Sequence, residues 1–214
     1  MKIVKDGYPF IIFSILAGFV TRRFSRLLSN LFFIFAGFCA FFFRDPDREF
    51  VEDDNKIISP ADGSLVAVEE CEEPDYIKGP AYKIAIFMSI FNVHINRAPI
   101  SGTVDYINYR PGNFDAAFNP RASFDNEMNV MGLQNSNIKV LVKQIAGFVA
   151  RRIVCDVTEG DMLTQTDRFG MIKFSSRVEI FIPKRDDIKI NVSLADQVRG
   201  GQTVIAEFVK KDSQ

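Results

Sequence analysis

Two apolar runs near the N-terminus constrain this chain more than anything that follows them. Residues 9–20 are apolar or small, and residues 27–43 are broken only by Ser29 and Asn30. The segment Thr21-Arg22-Arg23-Phe24-Ser25-Arg26 separates the runs, and 12 of the 22 phenylalanines fall within the first 50 residues. A spanning helix needs about 20 apolar residues, so the first run is short for crossing a bilayer. Basic residues flank every boundary: Lys2 and Lys5 before, three arginines between, Arg44 and Arg48 after. The positive-inside tendency therefore puts no loop outside. The pattern predicts a helical hairpin over residues 1–48, lying in or dipping into one leaflet of the cell membrane from its cytoplasmic face. The second run could span if extended. A signal peptide is the first competitor, but no small-x-small cleavage site precedes the second run. A buried hairpin of a soluble protein is the second. The charge-free stretch 31–41, followed directly by Phe42 and Phe43, favours the membrane.

Arg44-Asp45-Pro46-Asp47-Arg48 ends the helical pattern and returns the chain to water. From residue 49 to 214 the pattern becomes short strands and turns. Strands are expected near 64–68, 82–88, 102–109, 138–144, 153–157, 171–182 and 204–209, with the segments 116–118 and 148–152 ambiguous. A β-dominated sandwich or barrel follows. The net charge of −1 gives no basic footprint for nucleic acid. Three widely spaced cysteines make no CxxC pair and no disulfide framework, and a single histidine leaves no zinc set. No glycine-rich nucleotide motif is present.

The chemistry-bearing residues are few. Residues 168–183 read Arg-Phe-Gly-Met-Ile-Lys-Phe-Ser-Ser-Arg-Val-Glu-Ile-Phe-Ile-Pro, alternating apolar and polar from Met171 to Ile182, the period of a half-buried strand. Its paired serines either fill a tight place in a strand, or one of them attacks its own backbone. Ser59-Pro60-Ala61-Asp62-Gly63 is a turn entering a strand; it is either only a turn or a device that holds the Asp62 carboxylate where it can orient a base. His94 is the only imidazole, beside Arg97 and followed by Pro99. It is either a structural residue or the base available near neutral pH. Residues 110–127 form a long stretch rich in turn formers, ending in Asn126-Glu127. Asp62, His94 and Ser176 make a serine–histidine–aspartate set in chain order. Ser176 sits in no GxSxG elbow, which weighs against a hydrolase.

Taken in order, these pieces resemble the phosphatidylserine decarboxylases, in particular their short, archaeal-like bacterial branch. The resemblance rests on Phe-Phe-Arg-Asp-Pro at 42–46, Ser-Pro-Ala-Asp-Gly at 59–63, Val-His-Ile-Asn-Arg-Ala-Pro at 93–99, Asn126-Glu127, the run from Arg168 to Val178, and Val198-Arg199-Gly200-Gly201-Gln202-Thr203-Val204-Ile205-Ala206. It spans nearly the whole chain. It implies a β-dominated α+β fold, a hybrid-barrel or sandwich-like domain behind an N-terminal hydrophobic hairpin. It also implies a proenzyme that cuts itself between Ser175 and Ser176, leaving a large chain 1–175 and a small chain 176–214. Ser176, activated by His94 with Asp62 behind it, would become a covalent pyruvoyl group. The mature enzyme would convert phosphatidylserine to phosphatidylethanolamine and carbon dioxide at the membrane, as a homo-oligomer and without metal. Arg97, Arg121, Asn126, Glu127 and Arg177 are the candidates for substrate contact. Two positions depart from the family pattern. Ser175 stands where the family has glycine, whose backbone freedom leaves the carbonyl open to attack. Arg97 stands where longer members have a second histidine. The first departure keeps open a catalytically silent β-domain or an unprocessed proenzyme, and a membrane-tethered serine hydrolase is the remaining alternative.

Overall fold

In a computed structural model the described residues are 2–50, 52–113, 126–147, 152–173 and 176–209. They divide into two compact units, 1–47 and 48–214, each described by itself.

In the first unit, strand β1 (Lys2–Ile3) leads to helices α1 (Tyr8–Thr21) and α2 (Arg26–Phe42), and strand β2 (Arg44–Asp45) returns to pair with β1. Pro9 opens α1, where its missing N–H costs nothing. Ser25 caps α2 by accepting a hydrogen bond from Leu28 N at 3.3 Å. The helices meet at small residues. Ser29 Oγ donates to the Gly18 carbonyl at 2.8 Å, and a methyl group on Gly18 would lie 3.0 Å from the Phe33 ring. The faces turned away from this contact carry exposed Ile12, Phe13, Leu16, Leu27, Leu31 and Ile34. At about 1.5 Å per residue, α1 and α2 are roughly 21 and 25 Å long. No described helix is long and apolar enough to cross a membrane.

The second unit is built from strands β3 (Lys56–Ile58), β4 (Gly63–Glu73), β5 (Gly79–Met88), β6 (Ile95–Arg97), β7 (Gly102–Arg110), β8 (Met128–Gln134), β9 (Lys139–Ile145), β10 (Arg152–Cys155), β11 (Met162–Leu163), β12 (Arg168–Lys173), β13 (Ser176–Pro183), β14 (Ile188–Ile190), β15 (Gln197–Val198) and β16 (Val204–Phe208). Eight of them form a curled, antiparallel half-barrel in the order β11-β7-β8-β9-β13-β5-β4-β15. Two three-stranded sheets, β10-β12-β6 and β14-β16-β3, supply the other walls of the main core. That core is packed with Ile84, Ile86, Val142, Val178 and Ile180 from the large sheet, Phe169 and Ile172 from β12, and Ile57 and Ile205 from the third sheet. The β-dominated architecture is the one the sequence predicts.

The run expected as one strand over 171–182 is two strands in two sheets. β12 ends at Lys173 in the three-stranded sheet, and β13 begins at Ser176 in the centre of the half-barrel. Both strands are buried on both faces, not half-buried. The polar members of the alternation are neutralised internally: Arg177 and Glu179, 4% and 1% exposed, form an ion pair at 2.9 Å. The ambiguous segment 116–118 and all of 148–152 except Arg152 lie outside the described residues, as does Arg121.

Candidate active site

The register of the half-barrel assembles one end of the sheet. Ser176, first residue of β13, pairs with Met88, last residue of β5. On the other side Arg177 pairs with Ile145, last residue of β9, which faces Met128 of β8. Ala146 N donates to the Glu127 carbonyl at 2.9 Å, continuing the ladder one step past the strand ends. On the far side of β5, β4 begins at Gly63, directly after Asp62. Ser176 and Met88, 88 positions apart in sequence, are thus neighbours because strand pairing closes at this end.

Ser176 is fully buried, and its Oγ–H donates to the thioether of Met88 at 3.5 Å. A thioether is a weak acceptor, so among the described residues the hydroxyl proton has no strong partner. His94 is also fully buried. Its backbone extends β6 alongside β12: Ile172 N donates to the His94 carbonyl at 3.3 Å, next to the paired Met171 and Ile95. The ring is aimed by a tight turn in which the Asn92 side chain accepts from Ser89 N at 2.9 Å and Ser89 Oγ at 2.8 Å. The Asn92 carbonyl lies 3.0 Å from His94 Nδ1. A carbonyl only accepts, so Nδ1 carries the proton in this pair and Nε2 is the basic nitrogen of the neutral ring.

Asp62 meets different partners from those expected of it. Arg48 Nη2 donates to its two oxygens at 3.0 and 2.8 Å, and Gly200 N donates to Oδ1 at 2.8 Å. Arg48 also reaches Gln202 Oε1 at 3.0 Å. The Asp62 carboxylate therefore ties the turn before β4 to the turn before β16, and the Asn92 carbonyl occupies the place against His94 Nδ1.

The other candidates separate. Asn126 is buried and donates to the Ala146 carbonyl at 2.7 Å, one step from Ser176 across β9. The buried Glu127 carboxyl takes a hydrogen bond from the Tyr109 hydroxyl, which pushes that phenol above its ordinary value. Arg97 Nη1 donates to the Thr166 carbonyl at 3.1 Å, and its stem runs past Gly201, where a side chain would lie 2.8 Å from Cδ. Arg177 alternates with Ser176 on β13 and points to the opposite face, against Glu179. Ser175 is outside the described residues.

Three buried amides escaped the sequence reading. Asn129 Nδ2 donates to Gln144 Oε1 at 3.0 Å, Gln144 Nε2 donates to Asn96 Oδ1 at 2.8 Å, and Asn96 Nδ2 points at Met88 Sδ at 3.9 Å. They lie on three strands, and only an unusual run of amides at core positions could have flagged them. Gly170 makes room for them: a side chain there would lie 2.2 Å from the Val154 carbonyl and 3.0 Å from Gln144 Nε2.

Fold and site together define a β-dominated protein whose serine and imidazole are buried where the chain passes from one sheet to another, with no elbow presenting the serine to solvent. Comparison with known proteins makes this specific. Residues 35–206 match the family model described as phosphatidylserine decarboxylase. A phosphatidylserine decarboxylase proenzyme of Magnetococcus marinus is 40% identical over 99% of this chain and 97% of its own length. Its counterpart from Carboxydothermus hydrogenoformans is 50% identical over 85% of this chain and 84% of its own. That from Cytophaga hutchinsonii is 48% identical over 78% of this chain and 76% of its own. The chain belongs to the phosphatidylserine decarboxylase family.

Proposed function

We propose that this chain is a proenzyme that cuts itself between Ser175 and Ser176 and then decarboxylates phosphatidylserine to phosphatidylethanolamine. The observation that carries the reading is the buried Ser176 hydroxyl at the start of the central strand, whose partner among the described residues is a thioether, in a unit that also buries His94. His94 Nε2 takes the hydroxyl proton, and Oγ attacks the carbonyl carbon of residue 175. The carbon–nitrogen bond breaks, the nitrogen of residue 176 receives the proton, and an ester replaces the amide. Loss of the Cα proton of residue 176 with cleavage of its Cβ–O bond leaves a carboxylate on residue 175 and a dehydroalanine. Hydrolysis of that residue releases ammonia and leaves a pyruvoyl group.

The residues present fit such a group. Ser176 is its source, Met88 and the β5–β13 pairing lie against it, and His94, buried and bonded through its carbonyl to Ile172 N of β12, is the proton acceptor and donor of this reading. When present, the ketone takes up the substrate amine and draws electrons as carbon dioxide leaves. His94 then returns a proton to the carbon that lost the carboxylate. Asn126, Glu127 and Arg97 are the candidates for contact with the polar head group. Arg177 is committed to Glu179, and Asp62 acts through Arg48 and Gly200 in anchoring the site. The exposed apolar faces of α1 and α2 support docking of the hairpin on the cytoplasmic face of the cell membrane, which would bring the enzyme to its lipid. A homo-oligomer belongs to the same reading.

Intact mass of the purified chain under denaturing conditions tests the processing step. Two fragments dividing at 175/176, the smaller with a ketone-reactive N-terminus, are expected, and Ser176→Ala should give one uncut chain. A cut elsewhere, or a cut that survives Ser176→Ala, would sink the proposal. Should the parent stay whole, Ser175→Gly is expected to cleave.

A further inference from the structure

The register that closes the serine end of the half-barrel also sets what stands around its rim. One rung runs Arg110–Met128–Ile145–Arg177–Phe87–Ser64, crossing β7, β8, β9, β13, β5 and β4. Ser176 sits immediately before its rung residue on β13. Beyond the rung, the chain leaves β5 through the turn Ser89-Ile90-Phe91-Asn92 on its way to His94. In the neighbouring sheet Arg152, first residue of β10, pairs with Lys173, last residue of β12. At the opposite end of the half-barrel the rung is Met162–Thr103–Gln134–Lys139. The length of β7 between Thr103 and Arg110 separates the two ends by roughly 20–24 Å.

The rim at the serine end carries aromatic rings and arginines. Phe91 is 67% exposed and Tyr109 is 56% exposed. The turn that presents Phe91 is fixed from within: Asn92 N donates to the Ser89 carbonyl at 2.9 Å, and Asn92 Oδ1 accepts from Ser89 N and Oγ. The Tyr109 hydroxyl is engaged by Glu127, which leaves the ring as its exposed part. Arg110 and Arg152 are exposed beside them. Arg110 gives one bond to Asp75 Oδ2 at 2.8 Å, and a guanidinium has further donors to offer. β7 and β5 are four strand spacings apart, so Tyr109 and the end of β5 stand at most about 19 Å from each other across the rim. A single exposed aromatic residue needs no explanation. Aromatics and arginines sharing the end of the sheet that buries the serine form a pattern suited to the head-group region of a bilayer, where rings sit among glycerol and head groups and guanidinium groups meet phosphates.

We propose that the β-rich unit meets a phospholipid surface end-on, with Phe91 and Tyr109 seated among the head groups and Arg110 and Arg152 turned to the lipid phosphates. The inference rests on the phospholipid reading above. A phospholipid keeps its acyl chains in the bilayer because exposing them to water is unfavourable. A serine-derived group buried at one end of a sheet therefore reaches the head group only if that end comes to the membrane. This contact is carried by the β-rich unit itself and is separate from the one assigned to the hairpin. Phe91 then has a reason to be held outward three residues before His94.

The sequence contains no tryptophan, so one substitution gives one fluorophore. Phe91→Trp and Tyr109→Trp place it on the rim, and Met162→Trp places it at the opposite end, where Met162 is 84% exposed. Each full-length variant is mixed with vesicles of phosphatidylcholine and phosphatidylglycerol, with and without brominated acyl chains as quencher. Emission from position 91 should shift to the blue and be quenched at least about twofold, as for a ring seated about 5–10 Å into the interface. Emission from position 162 should stay as in water. No quenching at position 91, or quenching at 162 as strong as at 91, overturns the inference. Should Phe91→Trp not fold, Tyr109→Trp decides by the same criteria. Kinetics supply a second readout. Phe91→Ser should lower decarboxylation of phosphatidylserine in vesicles roughly tenfold or more, while monomeric short-chain phosphatidylserine is turned over at the parent rate. Equal loss on both substrates would mean that Phe91 supports the His94 turn rather than the bilayer contact, and overturns the inference. The fluorescence needs no turnover. A parent that releases no carbon dioxide from phosphatidylserine therefore overturns the phospholipid reading, and the quenching still decides the docking.

Discussion

Asp62 shows how a residue's role is set by what reaches it. Its carboxylate is gripped by Arg48 and by the Gly200 amide, with both side chains of the ion pair nearly buried. Removing one partner of such a pair strands the other charge, a loss of about 3–5 kcal/mol where burial is complete and less at the partial exposure found for this pair. Arg48→Ala and Asp62→Ala should each lower the melting temperature clearly, and the double variant should cost little more than either. Additive losses would show that the two residues do not act as a unit. Tyr76 gives a prediction in pH. Burial, together with its hydrogen bond to Asp105 Oδ1 at 2.5 Å, pushes its phenol far above the ordinary value near 10. A group whose folded value is raised contributes stability that is complete below the unfolded value and is lost as pH climbs toward the folded one. Stability should therefore fall as pH rises past about 10, and Tyr76→Phe should flatten that alkaline limb. A limb unchanged in the variant would assign it to other groups.

At the scale of elements, the passage from β12 to β13 matters most. Only two residues separate the end of one sheet from the start of another, so the chain changes sheets at the serine pair. β12 can enter this crowded place because Gly170 lets it approach Val154 and Gln144. Gly170→Ala should force those strands apart, giving a less stable protein with slower self-cleavage; an unaltered melt and rate would show that the sheet yields. The hairpin makes a separate prediction. Phe13 and Leu16 are 68% and 60% exposed on α1. Burying each in lipid contributes roughly 1.5–3 kcal/mol, so Phe13→Glu with Leu16→Glu should cut cosedimentation with lipid vesicles at least about tenfold. Equal binding by both proteins would remove the hairpin from the membrane contact.

At the scale of the whole catalytic unit, the strands after the expected cut are woven into those before it. β13 is hydrogen-bonded to β5 on one side and β9 on the other, and β16 lies next to β3. Val178, Ile180, Ile182, Ile188 and Ile205 lie in the same core as Ile84, Ile86 and Val142. Breaking one peptide bond leaves all of this in place. Processed protein should therefore elute as one species under native conditions and separate into two chains only in denaturant; spontaneous loss of the small chain would contradict it. The same packing means that Ile180→Ala, at a fully buried central position, should destabilise by about 2–5 kcal/mol.

Local chemistry was legible in the chain itself. The apolar runs, the breaking of helix at Pro46, most strand positions and the order of the motifs follow from side-chain periodicity and backbone preference, which act over a few residues. β8 was not legible, because Met128-Asn129-Val130-Met131-Gly132-Leu133 is buried on both faces and so has no alternation to read. The split of 171–182 into β12 and β13 was hidden because the apolar–polar alternation read over that run carries no mark of a change of sheet. Asp62, His94 and Ser176 were singled out by residue type; the imidazole's partner is the carbonyl two residues before it, but those of the other two are carried by other segments, Arg48 and Gly200 for the carboxylate and Met88 for the serine. Hydrogen bonds between strands far apart in sequence exist only once the register is set, and register is a property of the folded sheet. The residue types for the chemistry are therefore written in the sequence, whereas the amide chain from Asn129 to Asn96, and the side of β13 on which Arg177 lies, were decided by the tertiary structure.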